Sequence, residues 1–366
     1  MTSLLNASLI FLLALIPFLI RLLRPANPTP TPTPKPKSRP STQTPSEIVS
    51  LRVYPIKSCR GFEIPRTKQC LSGLDLDRRW MVVDEKTHVF LTIRQIPEMT
   101  LVRTGLSGDG RDLIISIAGG DEEGVEGGGS VAILSHPDQD WLKANTTLVS
   151  DVKIWDTVTD GYIYKPSVGV NQLLSKFLNR SVVLVYKGPT PRVLKGNADP
   201  RLLGRVQDTG FPDVIPVLIA SQASITELNS RLSDQGHEEI TIERFRPNII
   251  IKGEKGKPWI EDSWKTVRIS SSSSLGKESE EKEWLTFDIV ARCGRCQVPN
   301  VDPVTAEKHK TQPWDTMMKY RRVDEGLKYK PCFGMLGVPR GEGDIGVGMR
   351  FEVLEETDEH FYIKGF

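Results

Sequence analysis

From Ile48 onward the chain is cut into short β-branched and aromatic runs by Gly, Pro, Asn and Asp, and this constrains its fold more than any other feature. The runs are Val49–Ile56, Trp80–Val83, His88–Ile93, Leu113–Ala118, Val131–Leu134, Leu148–Trp155, Tyr162–Lys165, Ser181–Tyr186, Val214–Ile219, Asn248–Lys252, Glu283–Ala291 and Arg350–Glu355. Their length and spacing predict strands. Only Val170–Asn179 and Ser224–Leu232 repeat leucine at helical intervals, with Ser221 or Ser224 as candidate caps. The fold class is therefore α+β and β-rich. A length of 366 residues suits two domains. We place them at 48–165 and 166–366. Gly119–Gly129 and Ser270–Lys282, rich in Gly, Ser and charge, read as solvated loops.

The amino terminus is of another kind. Residues 1–20 carry no charge, and Leu4–Ile20 reads LLNASLIFLLALIPFLI. As a helix this run spans about 25 Å, a little under a ~30 Å hydrocarbon core. Snorkelling of Arg21 lets Leu22 and Leu23 complete it. The expectation is a transmembrane anchor over 1–24, crossing at residues 4–23. Arg21, Arg24, Lys35, Lys37 and Arg39 follow the apolar run, which leaves the rest of the chain on the cytosolic side. Residues 25–47 are rich in Pro and Thr and read as a polyproline II spacer. The net charge of +2 gives no case for nucleic acid as a partner. Five cysteines, an odd number, point to free thiols in a reducing compartment.

The five histidines, His88, His136, His237, His309 and His360, include no pair with zinc-hydrolase spacing, and no G-x-S-x-G, Walker A or strand-linked G-x-G-x-x-G occurs. The informative segment is Ala291–Pro303, ARCGRCQVPNVDP, where Cys293 and Cys296 alternate with Arg292 and Arg295. Nearby cations stabilise thiolate, the form that attacks electrophiles and binds metals. Structural zinc, a redox dithiol, one thiolate on a soft metal and inert buried thiols all remain open for such a pair. Cations also cluster with hydrogen-bonding residues in YPIKSCRG (54–61), DRRW (77–80), LTIRQIP (91–97) and ERFRPNIIIKG (243–253). That composition suits an anionic ligand with many acceptor atoms.

Taken in order, YPIKSCRG, GLxxDRxW, Arg94–Gln95, ERFRPN and RCxxxxVDP resemble the MOSC-domain molybdenum cofactor proteins, and most of all the mitochondrial amidoxime reducing component subgroup. The resemblance covers about residues 48–366. It implies a MOSC β-barrel domain preceded by an amino-terminal MOSC-associated β/α domain, and a molybdenum–molybdopterin cofactor. It implies that Cys296 ligates the metal as the catalytic residue. It implies cofactor contacts from Lys57, Ser58, Arg78, Arg94, Asp213, Ser221, Arg246, Asn248 and Arg295, with Cys293 a neighbour and Asp302 supporting the turn. The implied activity is reduction of small N-hydroxylated compounds. Electrons would come from a cytochrome b5-type haem protein and its NADH-dependent reductase. The implied location is the mitochondrial outer membrane, ahead of the endoplasmic reticulum. The alternative is a non-reductase MOSC protein that binds the pterin or carries sulfur as a Cys296 persulfide. Two departures stand out. The two loops are longer than expected, and FGMLGVP (333–339) lacks the aromatic residue that animal members carry near the pocket.

Overall fold

The computed structural model describes residues 37–117, 128–270 and 284–365. Seven strands close into a barrel. In ring order they are Ser46–Val53, Arg350–Glu356, Trp264–Ser270, Trp284–Gly294, Cys332–Pro339, Val217–Ser221 and Ile249–Ile251. Ser46 opposite Phe351 and Glu47 opposite Arg350 close the ring. Only Val217–Ser221 and Ile249–Ile251 run parallel. Alternation along each strand fills the interior, with Leu51, Ile219, Ile249, Val267, Phe287, Met335 and Phe351 in one buried cluster.

The amino-terminal unit has a four-stranded antiparallel sheet of Thr146–Ile154, Thr157–Tyr164, Val182–Lys187 and Trp80–Asp84. Beside it lies the three-stranded meander Val102–Leu106, Asp112–Ile117 and Gly129–Leu134. Trp80, Met99, Leu113, Ile115 and Leu184 form its core, and the Val170–Phe177 helix adds Val170 and Leu174.

Pairing crosses both ends of the expected 48–165 domain. Val182–Lys187 bridges Thr157–Tyr164 and Trp80–Asp84, so the unit extends past residue 165 to Lys187. Its first strand, Ser46–Val53, belongs to the barrel built by the carboxyl-terminal half. Arg39–Pro40 pairs with Glu355–Glu356 at the barrel edge, where a missing proline N–H costs little. Gln43 takes a 2.9 Å hydrogen bond from Trp264 Nε1 and donates to Glu356.

Other elements also differ from expectation. His88–Ile93 forms only isolated bridges, at Val89 and Phe90. Trp264–Ser270 and Cys332–Pro339 are strands that the run pattern did not single out. In the first, Lys265, Thr266 and Arg268 mask the inward alternation of Val267 and Ile269. In the second, Gly334 and Gly337 interrupt the apolar pattern. Gly334 is required, because at φ +76° a Cβ would lie 2.9 Å from Ile219 O. Among the described residues no helix is long and apolar enough to cross a membrane. The expected anchor lies outside the described residues. So does most of each expected loop, at 118–127 and 271–283.

Two outcomes follow from these contacts. A chain beginning at Pro36 should melt at a higher temperature than one beginning at Glu47, which lacks the Arg39–Pro40 pairing and Gln43. Equal melting would show that the edge strand contributes nothing. The second concerns Glu261, fully buried and accepting a 2.6 Å hydrogen bond from Ser224 Oγ, with its other oxygen unpartnered. Burial pushes its carboxyl from 4.5 up to about 7. A folded pKa above the unfolded one means that stability falls as pH rises through 4.5 to 7. Glu261→Gln should therefore match wild type below pH 4.5 and gain about 3 kcal/mol over it above pH 7, read by urea unfolding. A pH-independent difference would refute the buried-acid account.

Candidate active site

A cavity of about 190 Å³ lies against the outer face of the barrel wall. Leu218 and Leu336 line it. They alternate with Val217, Ile219 and Met335, which face the barrel core, so strand period alone aims them outward. Leu218 and Leu336 are register partners on adjacent strands.

Nine of the ten cofactor or metal residues expected from sequence line this one cavity: Lys57, Ser58, Arg78, Arg94, Asp213, Arg246, Asn248, Arg295 and Cys296. The tenth, Ser221, does not. It is fully buried at the start of the Gln222–Asp234 helix, where its Oγ accepts a 3.2 Å hydrogen bond from Ala223 N. A serine placed between strand and helix satisfies an otherwise orphaned helix donor, and that is its place here.

Asp213 organises one side. Its carboxylate receives Lys57 Nζ, Arg94 Nη2 at 2.8 Å and Trp155 Nε1 at 3.2 Å. Burial alone would raise its pKa, but Lys57 and Arg94 override this and hold it far below the carboxylate range. Burial also pulls the Lys57 ammonium down to about 8, opposed by Asp213. The FPD loop that carries Asp213 is fixed from behind. Buried Arg192 donates to the carbonyls of Gly210, Pro212 and Asp213 at 3.2, 2.8 and 2.9 Å. Phe211 N donates to Arg78 O at 2.8 Å. Gly210 is needed there, since a Cβ would sit 2.7 Å from the same carbonyl.

Arg78 and Arg246 form the other side. Both guanidinium groups stack over Tyr54, at 4.9 and 4.3 Å from its ring centroid. Arg78 is neutralised by Asp77 at 2.5 Å and bonds Asn248 Oδ1 at 3.2 Å. Among the described residues Arg246 has no carboxylate partner, and its Nη2 is buried without a hydrogen bond. Burial, then the neighbouring Arg78, lowers its pKa. Such an orphaned cation is costly unless a ligand supplies acceptors. Asn248, fully buried, accepts from Leu218 N at 3.1 Å and donates to Arg52 O at 3.3 Å, joining two barrel strands. Ser58, Arg78 and Arg246 all have left-handed backbone, at φ 70°, 49° and 58°, a strain that packing must offset.

The sulfurs come from the end of the Trp284–Gly294 strand, Cys293 within it and Cys296 two residues beyond it. Cys296 Sγ accepts from Arg94 Nε at 3.3 Å, and Cys293 Sγ from Arg295 Nη1 at 2.9 Å. Arg295 also donates to Phe245 O at 2.8 Å. The VDP turn is closed by Asp302, which accepts from Val304 N at 2.7 Å and from Arg244 at 2.6 Å. No reading of the sequence singled out Arg192, Trp155, Lys330 or Tyr362. The last two line the cavity. Each is an isolated residue without a motif around it, so only the tertiary structure reveals it.

The donor set fits a pterin-held metal. An orphaned guanidinium and a second one over a shared ring suit a phosphate, and a thiol with an N–H donor at its sulfur suits a soft metal.

Comparison with known proteins agrees with this fit. The family model for the MOSC domain matches residues 207–352, and that for the MOSC N-terminal beta barrel domain matches residues 46–181. The chain belongs to the MOSC-domain molybdenum cofactor proteins. It is similar to the mitochondrial amidoxime-reducing component 1 of Danio rerio, 27% identical with 82% of each chain covered. It is likewise similar to the mitochondrial amidoxime reducing component 2 of Homo sapiens, 27% identical over 82% of this chain and 81% of the relative. The molybdenum cofactor sulfurase of Arabidopsis thaliana is 30% identical over 78% of this chain. The chain spans only about a third of that protein's length, 32%.

Asp213→Asn should leave the buried Lys57 ammonium without its counter-charge. Because the carboxylate is 37% exposed, the expected loss is about 2 kcal/mol, less than the ~3–5 kcal/mol of a fully buried pair. Urea unfolding at neutral pH reads it. An unchanged midpoint would mean that the ion cluster is not structural.

Proposed function

We propose that this chain is a molybdenum-cofactor-dependent reductase that removes oxygen from small N-hydroxylated compounds. The observation that carries the reading is a cavity that gathers Cys296, held by Arg94, with the unneutralised Arg246 guanidinium. Cys296 would ligate the metal. Arg246, Arg78 and Lys57 would hold the pterin's phosphate, with Ser58 and Asn248 beside them. When bound, the group supplies two-electron oxygen removal from an N–O bond. The protein's part is to hold the thiolate in one direction through the Arg94 N–H, itself locked by Asp213. Its second part is to keep fixed positive charge around an anionic ligand. The similarity to amidoxime-reducing components supports the substrate class.

Electrons would reach this site from a cytochrome b5-type haem protein reduced by an NADH-dependent reductase. Residues 4–23 would tether the domain to a membrane, and we favour the outer mitochondrial membrane, in keeping with the names of these relatives. A tether of this kind raises the effective concentration of partners on the same surface.

One observation favours a second reading. Cys293 is another sulfur in the same cavity with its own arginine donor, and the plant sulfurase is a relative. Under that reading Cys296 carries a persulfide and no metal.

Protein made in a host that synthesises molybdopterin separates the two. We expect molybdenum close to equimolar and reduction of benzamidoxime with an artificial electron donor. Cys296→Ala should lower activity at least 100-fold and remove most of the metal. Cys293→Ser should keep most of both. Equal metal in the two variants would show that the wrong sulfur was assigned. A persulfide mass on Cys296 in metal-free protein would favour the carrier.

A further inference from the structure

The family model ends at residue 352, but the chain continues as a strap that is bound along its length. Arg292 Nη1 donates to His360 O at 3.1 Å, and His360 Nε2 bonds Trp264 O at 2.7 Å. Asn197 clamps two positions, donating to Phe361 O at 2.8 Å and accepting from Ile363 N at 2.7 Å. Between them Tyr362 N donates to Asp324 Oδ1 at 2.9 Å.

The approach is too close for side chains. A Cβ on Gly326 would lie 2.3 Å from Tyr362 O, and one on Gly196 would lie 2.6 Å from Ile363 O. Five hydrogen bonds on the four residues from His360 to Ile363, with two close glycine approaches, fix the backbone and turn Tyr362 inward. Its side chain packs beside Cys293, Leu336 and Val214 and lines the same cavity as Cys296. The phenol forms no hydrogen bond among the described residues, although it is partly buried. Burial, with Cys293 and the carboxylates of Asp213 and Asp324 adding to it, pushes it up to about 12, so at neutral pH it is an intact O–H donor.

A second hollow adjoins the cavity. It is about 290 Å³ and is lined by Ile93, Arg94, Gln297, Val298, Val301 and Lys308. It shares Ile93, Arg94 and Val298 with the cavity, and Tyr362 does not border it. Cys296 lines the cavity and is not among the residues that line this hollow. Tyr362 lines the cavity together with Leu218, Leu336 and the Arg78, Arg246 and Asn248 side chains that the cofactor reading assigns to the pterin.

We propose that the carboxyl-terminal strap is part of the cofactor site and that the Tyr362 hydroxyl donates a hydrogen bond to the bound pterin. The strap thereby supplies, from outside the family's matched region, an aromatic wall that FGMLGVP lacks. This rests on the reading of the cavity as a molybdenum–pterin site.

The test measures retention, not turnover. Full-length wild type, Tyr362→Phe and Asn197→Ala are purified from a molybdopterin-making host. Molybdenum and fluorescent oxidised pterin per chain are then followed during dialysis. Phe keeps the ring and its packing, so its melting temperature should stay at the wild-type value while pterin is lost about five-fold faster. Asn197→Ala leaves the phenol but frees the strap, and should lose pterin faster too. Wild-type retention in Tyr362→Phe would overturn the hydrogen bond. Wild-type retention in both variants would overturn the role of the strap. Wild type that holds no pterin at all would overturn the cofactor reading first, and this inference with it.

Discussion

One carboxylate holds the site together. Asp213 arrives on the loop before the Val217–Ser221 barrel strand, while Lys57 and Arg94 belong to the amino-terminal unit. Two cations converging on one carboxylate bind the halves of the molecule at the point where they must agree. Arg94 carries the constraint onward, because its Nε addresses Cys296 while its Nη2 is held by Asp213. A planar guanidinium can serve two such acceptors in a fixed geometry, which the point charge of a lysine cannot do. The direction of the sulfur is thus set by Arg94, whose own position is fixed by Asp213.

Around this link the protein keeps cations together against their mutual repulsion. Tyr54 lets Arg78 and Arg246 share an aromatic face, Asp77 neutralises one of them, and the other stays unpaired. Left-handed backbone at Ser58, Arg78 and Arg246 adds strain at the same place. Both are costs that the β-rich framework must offset, as is expected where stability has been traded for a binding surface.

Much of this was legible in the sequence, and what was not has identifiable causes. Period-two alternation exposed most strands, but Trp264–Ser270 hid behind outward Lys and Arg, and Cys332–Pro339 behind its glycines. Lys57, Arg78, Arg246 and Cys296 sit in compact local motifs, so their convergence could be anticipated. Ser221 shows the limit of that approach: a serine between strand and helix reads equally well as a ligand contact or a cap. Arg192 and Tyr362 act through partners far away in the chain, and no local spacing encodes such a relation. Local reading places a domain boundary poorly for a related reason, because Ser46–Val53 and Val182–Lys187 each pair with strands distant in sequence.

That first strand has a consequence for how the molecule is born. The ring cannot shut until Arg350–Glu356 has been synthesised, since the opening and closing strands are neighbours. During translation Ser46–Val53 therefore waits, unpaired along one edge, until every other strand of the ring has been made. Long-range pairing of this sort is slow and leaves the nascent chain open to misassociation. Loading of any prosthetic group that needs both halves accordingly has to wait until Arg350–Glu356 is free to pair.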